Sequence, residues 1–354
     1  MTEKIEIDDK LTNDTPNNDV KSSQSGFVQV VSRTVWCCTV AVLGVVFVTS
    51  VATWFASWHW LADLCANLRV QQMIGLMGLL VVAVVFRRKG AITVCIVLMA
   101  VHLPMFRSSW GRSQAYETTV QNNDSDLVVM TANVWTPNTH HDLIVQQIEK
   151  ADADVFAILE LGAAQHRHLE TALAESYPHQ FAFPQDRGNF GIGLYSKIPL
   201  EETDSFSLNM DSILTLAATV RKGDQVYRVI ATHPLPPMGA GGFRNRNEHL
   251  RLLVNKIRAE RKPDDGKSMI VMGDLNLTPW SPLFGRFEEA SELSRAGRGH
   301  GLTPTWYAYT NASFPFGLVL DHVLISADLE CTSHTVGPSI GSDHRAVIVG
   351  VSRR

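Results

Sequence analysis

Hydrophobic positions follow two regimes along this chain. Between residues 27 and 106 they form three long stretches, about 35–55, 68–86 and 91–106, whereas beyond residue 125 they come in short runs separated by polar turns. The first regime predicts membrane-spanning helices, because about 20 uncharged residues are needed to cross a hydrocarbon layer of about 30 Å. Trp36, Trp54, Trp58, Trp60 and Trp110 fall near the ends of these stretches, where interfacial aromatic rings are favoured. The first stretch begins after more than thirty largely polar residues, unlike the short basic start of a signal peptide.

The second regime predicts a domain of alternating strands and helices. LVVMTANV (127–134), VFAILEL (155–161), NFGIGLYS (189–196), ILTLAATV (213–220), VYRVIATH (226–233), SMIVMGDLN (268–276), DHVLIS (321–326) and RAVIVGV (345–351) are apolar, many rich in β-branched residues, and read as strands. Helices are expected over 141–151, 163–177 and 243–261. So many strands interrupted by helices imply two packed sheets covered by helices, an α+β sandwich.

Composition divides the chain at the same places. Residues 1–26 are polar and acidic, too poor in apolar side chains to offset the entropy of ordering, and are expected to be a disordered tail. Residues 107–124 form a polar linker, and 125–354 form the globular domain. Only one of the five cysteines, Cys331, lies in that domain, which excludes an internal disulfide framework and a Cys-rich zinc site. From 125 to 354 there are 21 Lys+Arg and 26 Asp+Glu, so 21 − 26 = −5. The domain lacks the basic excess that drives non-specific duplex binding. Arg87-Arg88-Lys89 is the densest positive cluster between the apolar stretches and, with Arg33, marks the cytoplasmic side. Three crossings then put 107–354 on the far side of the membrane; two would keep it in the cytoplasm.

Candidate chemistry sits at strand tips. Asn133, Glu160, His233, Asp274 with Asn276, Asp321, and Asp343-His344 each end or precede an apolar strand. Any one alone is an ordinary turn or cap residue, but six such tips in one domain predict a common rim. Amide and carboxylate oxygens are hard ligands suited to Mg²⁺ or Mn²⁺. A divalent cation offsets the charge of a phosphate ester, and a carboxylate or imidazole prepares a water for in-line attack.

The series TANV, AILE, THP, GDLN, LDHVLIS and GSDH, in this order, resembles the endonuclease/exonuclease/phosphatase (DNase I-like) superfamily over about 125–352. Apolar spans before the domain are similar to membrane-anchored bacterial-type members. The resemblance implies a four-layer α/β/β/α sandwich preceded by transmembrane helices. It implies Asn133, Glu160 and Asp343 as ligands of Mg²⁺ or Mn²⁺, with Glu160 the principal one. Asp274 would position or activate water with Asn276, His233 would bind phosphate, and His344 would bind phosphate or move protons, held by Asp321. One position departs from the pattern: several nucleases of the family carry an acidic residue where Trp135 stands here.

The expected activity is hydrolysis of a phosphodiester or phosphomonoester, with lipid or small-molecule phosphates favoured. A nuclease acting on DNA or RNA is the alternative, and a non-catalytic binding module on the same fold the second. The expected setting is an integral protein of a bacterial inner or plasma membrane, with an extracytoplasmic catalytic domain; no protein partner is inferable. Arg244, Asn245 and Arg246 open the long helix and could meet a phosphate at its start, or form a solvated basic face. His322 is expected to be structural, and His166 and His168, two apart on a helix, do not share a face.

Overall fold

The computed structural model describes residues 17–106, 126–261, 266–308 and 316–354. Residues 1–16 of the expected tail and the whole 107–124 linker lie outside the described residues. The rest of the tail, 17–26, belongs to the first helix, α1 (Asn17–Ala52), which runs unbroken into the first apolar stretch. Beyond it come α2 (Trp60–Asn67), α3 (Arg69–Val85) and α4 (Lys89–His102).

Two segments, Gln29–Phe55 and Lys89–Phe106, are long and apolar enough to cross a membrane; α2 and α3 add a third only if the pair, bent by 64° at Leu68, is one span. Alone, α3 reaches about 25 Å at 1.5 Å per residue, just short of the hydrocarbon thickness. Against the expectation of a uniform span over 68–86, α3 is continued at an angle by α2, and α2 carries polar residues that face the domain. Many large apolar side chains on these helices are exposed, Val81 at 64% and Val85 at 71% among them. Exposure of that kind suits lipid, not water.

Helices α1 and α4 run parallel to each other, and α3 runs antiparallel to both. His102 near the end of α4 bonds Ser50 near the end of α1 at 2.9 Å. At the opposite end Phe86 packs on Trp36 with ring centroids 6.2 Å apart, and the Arg88 guanidinium lies 4.8 Å over the same indole.

The domain consists of two six-stranded sheets flanked by helices. In chain order its elements are β1 (Leu127–Asn133), α5 (His141–Ala151), β2 (Val155–Leu159), α6 (Ala163–Ala172), β3 (His179–Phe183), β4 (Ile192–Ser196), β5 (Glu201–Ser207), β6 (Leu214–Lys222), β7 (Gln225–Ala231), α7 (Gly239–Glu260), β8 (Lys267–Asp274), α8 (Pro282–Ser291), β9 (Leu293–Arg295), β10 (Trp306–Tyr307), β11 (Gly317–Leu318), β12 (Asp321–Ser326), β13 (Leu329–Ser339) and β14 (Arg345–Arg353). One sheet has the order β13-β14-β1-β2-β4-β3, the other β5-β6-β7-β8-β12-β9, and β10 pairs with β11.

Burial follows the period of two. In β1, Leu127 and Val129 point between the sheets, where they meet Ala218, Val229, Ile270, Met272 and Val349. Their neighbours Val128 and Met130 face outward against Ile144 and Ile148 of α5. On the other sheet, Ile230 and Val271 pack against Leu250, Leu253 and Ile257 of α7 and Phe284 of α8. Central strands therefore bury both faces and read as unbroken apolar runs. Of the strands that the apolar pattern does not predict, β3, β5, β9 and β13 lie at sheet edges and β10 and β11 form the small separate sheet; β5, for example, has mostly exposed residues. Helix α8 is a further element beyond the expected set, although Ser281 caps it and Pro282 opens it.

Candidate active site

Strand direction explains why the polar tips meet. β1 and β2 run parallel, with Asn133 in register with Leu159, the residue before Glu160. β7 and β8 also run parallel, so Asp274 closes β8 at the end from which the chain continues to His233 after β7. The partners β12 and β14 are antiparallel to β8 and β1, which brings their first residues to that same rim. Asp321 lies directly opposite Asp274 in the ladder, and His344 immediately precedes β14.

The side chains form one buried group. Asn133 Nδ2 donates to Glu160 Oε1 at 2.8 Å and lies 3.5 Å from Asp274 Oδ2. His233 Nε2 is 3.5 Å from Asp274 Oδ2 and 3.9 Å from Glu160 Oε1. His344 Nδ1 pairs with Asp321 Oδ2 at 2.8 Å, while its Nε2 faces Asp274 Oδ2 at 3.7 Å. Asp274 Oδ1 accepts the Asn276 backbone N–H at 2.8 Å, and Asn276 Nδ2 donates to the Pro234 carbonyl beside His233 at 3.0 Å. Seven of the eight expected residues thus share one contact network, Asn276 through its backbone N–H.

Asp343 is placed differently. Its Oδ2 accepts from Trp306 Nε1 at 2.8 Å and its Oδ1 faces Ser342 Oγ at 3.4 Å. No contact links its carboxylate to Asn133 or Glu160 among the described residues. Trp306 in turn bridges to His344 through the backbone, and Thr305 Oγ1 accepts the N–H groups of Leu320 and Asp321, both at 3.0 Å. These supports leave no trace in the sequence pattern, since Thr305-Trp306 carries no motif of its own.

Backbone conformation concentrates here as well. Glu160, Asn276 and Trp135 have φ of 55°, 50° and 60°, a region that costs a residue with a Cβ of order 1–3 kcal/mol and persists where surroundings enforce it. Gly273, just before Asp274, has φ +148°, and an added Cβ would stand 1.9 Å from the Thr232 carbonyl oxygen. Only glycine allows the His233 and Asp274 strands this approach. Trp135 is 40% exposed and donates its N–H to Asn133 Oδ1 at 3.1 Å.

Electrostatics assign charge within the group. Burial pushes the Glu160 carboxyl up, opposed by His233 and the Asn133 amide. Asp274 is also deeply buried, yet His344, His233 and the Asn276 N–H outweigh desolvation and hold it below the usual carboxylate range. Burial alone would depress His344; Asp321 and Asp274 overcome it and raise the imidazole to about 10. His233 is likewise raised, desolvation being exceeded by Asp274 and Glu160. The shifts favour an ionised Asp274 facing a protonated His344, with His233 biased toward its charged form.

The donor set fits a hard divalent cation. Glu160 Oε2 and Asp321 Oδ1 are buried oxygens with no hydrogen-bond partner, a costly state that a cation would relieve. Asp274, Asp321 and His344 also present ligand atoms within 4.8 Å of one another. Nδ1 of His344 is committed to Asp321, so only Nε2 of that imidazole is turned toward Asp274.

Other candidates separate cleanly. His322 is structural, with Nε2 2.8 Å from the Leu277 carbonyl. His166 contacts Tyr195 and His168 pairs with Asp142. Arg246 is neither a phosphate ligand nor a solvated residue: its side chain is fully buried and pairs with Asp63 of α2. Asp63 lies 183 residues away in the chain, so no local pattern could reveal the partnership.

Comparison with known proteins agrees with this fold. The model of the Endonuclease/Exonuclease/phosphatase family matches residues 130–344. An endonuclease/exonuclease/phosphatase from Beutenbergia cavernae superposes with a TM-score of 0.53 at 20% identity, covering 64% of this chain and 71% of that one. The human Nocturnin catalytic domain gives 0.52 at 18% identity, covering 64% and 94%. A functionally unknown conserved protein from Enterococcus faecalis gives 0.53 at 15%, covering 64% and 100%. No curated protein sequence matches.

Proposed function

Because the chain belongs to the endonuclease/exonuclease/phosphatase family and is thereby a hydrolase of phosphoric ester bonds, we propose that it is a membrane-anchored, divalent-metal-dependent phosphoesterase acting on phosphate esters presented at a bilayer surface. One observation carries this reading: loops beside the catalytic rim rest on the helical anchor. Asn67 of α2 accepts from Thr278 N and Oγ1, both at 2.8 Å, and from Trp280 Nε1 at 2.9 Å. Gln71 donates to the Gly317 carbonyl at 2.9 Å, and Val70, Phe106, Trp280 and Val319 share one apolar seam. A site held this close to the anchor meets esters in the membrane before those in bulk solution. The domain's negative balance, 21 − 26 = −5, also favours a single headgroup over a polyanionic duplex.

Glu160 and Asn133 would hold Mg²⁺ or Mn²⁺, which when bound supplies charge to offset the phosphate oxygens. His344, held protonated, and His233, whose charged form Asp274 and Glu160 favour, bind and stabilise the anionic ester as charge grows on its oxygens. Asp274, ionised and aimed by the Asn276 N–H, orients the attacking water and accepts its proton. Asp321 fixes the tautomer and orientation of His344, and Asp343 adds negative charge beside that imidazole.

The anchor's packing supports three crossings with the domain opposite the Arg87–Lys89 turn. Phe106 and α2 lie against the domain, whereas Phe86 and Arg88 pack beside Trp36 at the other end of the helices. With the basic turn cytoplasmic, the active site faces the extracytoplasmic surface.

The test is turnover by the full chain in nanodiscs, supplied with Mg²⁺ or Mn²⁺, on phospholipid, lipid-linked phosphate, a soluble aryl phosphodiester and plasmid DNA. Release from a membrane ester faster than DNA nicking is expected. Efficient nicking with no lipid turnover would refute the substrate class, and no turnover of any substrate would favour a binding module.

A further inference from the structure

The contact between anchor and domain goes deeper than docking. Arg246, on α7, donates from Nη2 to Asp63 Oδ2 of α2 at 2.7 Å and from Nη1 to the Asn276 carbonyl at 2.7 Å. Its Nε donates to Asn247 at 2.8 Å. Both charged side chains have 0% exposure. Asn276 is the residue whose N–H aims Asp274 and whose side chain reaches the Pro234 carbonyl after His233. It sits at φ 50°, a left-handed conformation that asparagine tolerates, and the Arg246 bond to its carbonyl helps fix that peptide. Two residues on, Thr278 is fastened to Asn67 of the same helix α2.

We propose that α2 of the membrane anchor is a positioning part of the active site: the Asp63–Arg246 pair and Asn67 clamp the 276–280 loop and thereby hold Asp274 and His233 in reacting position. The inference rests on the role given to Asp274 above. A buried ion pair that served adhesion alone could be replaced by packed apolar side chains with little loss. Here the guanidinium fork has a second duty, since it ties α2 to the carbonyl of the loop that aims the catalytic aspartate. Lysine cannot do both, because its single nitrogen lacks the planar fork. The anchor and the rim thus form one mechanical unit, and catalysis depends on residues placed between two apolar stretches.

The test uses the full chain in nanodiscs and a small soluble aryl phosphodiester, so that access to lipid plays no part. Arg246→Lys and Asn67→Ala are compared with the parent for kcat, KM and thermal midpoint, with kcat normalised to the folded fraction. A displaced catalytic group predicts a loss in kcat of about tenfold or more at nearly constant KM. A purely adhesive role predicts a lower midpoint with unchanged kcat per folded molecule, and that result in both variants overturns the proposal. If Arg246→Lys fails to fold, Asn67→Ala decides: lowered kcat at constant KM upholds the clamp, and unchanged kcat overturns it. A parent enzyme without turnover would refute the phosphoesterase reading itself, whereas an active parent with indifferent variants refutes only the clamp.

Discussion

At the scale of single residues, charge states follow from whether a buried group's partners offset its desolvation. Asp274 stays ionised because two imidazoles and one N–H outweigh its desolvation. Asp274→Asn keeps size and the hydrogen-bonding backbone but removes the base, and kcat should fall by about 10²–10⁴-fold with little change in thermal midpoint; a steady-state assay with a melting curve checks both. His322 presents the reverse case. Burial, with the nearby Arg295 charge, drives its imidazole down to about 3. Its folded pKa lies below the unfolded value of about 6.5, so the unfolded state binds more protons between these limits. The stability it contributes is full above about pH 6.5 and declines as pH falls toward 3. Melting curves should therefore show His322→Gln losing less stability than the parent between pH 6.5 and 4. An equal or steeper loss would contradict the assignment. The sequence revealed these residues unevenly: Asn133, Glu160 and Asp274 stood out as polar ends of apolar strands, while Asp63 and Arg246 gave no sign of meeting.

At the scale of elements, apolar patterning decides what can be read. Central strands such as β1, β2 and β8 bury both faces and announce themselves as unbroken runs. Edge strand β5 alternates around exposed Glu201, Glu202 and Ser207, and its pairing with β6 rests on backbone bonds that leave no hydrophobic trace. The same limit hid α2, whose Asp63 and Asn67 are polar because they bind the domain. Two substitutions probe the elements directly. Gly273→Ala must separate β8 from the Thr232 carbonyl, and should leave little folded, active protein when expression and melting are measured. Leu253→Ala on α7, fully buried among Ile257, Val271 and Phe284, should cost about 2–5 kcal/mol in denaturant unfolding while leaving kcat of the folded fraction intact.

At the scale of the whole molecule, two sheets supply a rim, and the N-terminal apolar helices hold that rim against one end of their bundle. The broad architecture was legible because the N-terminal apolar helices and the globular domain differ in the length of their apolar runs. The angle at Leu68 was not, since a bend between two apolar helices is set by what α2 touches in three dimensions. A reporter fused after Arg354 should be active only outside the cytoplasm if three crossings separate it from the Arg87–Lys89 turn; cytoplasmic activity would reverse the orientation. The central claim, that Asn133, Glu160, Asp274, His233 and His344 form one metal-dependent hydrolytic centre, is tested most directly by Mn²⁺ titration of the chelator-stripped full chain, followed by both bound metal and turnover. The account predicts that activity vanishes on stripping, returns in step with Mn²⁺ binding, and does neither in Glu160→Gln. Full turnover in the stripped protein, or normal binding and rate in Glu160→Gln, would contradict it.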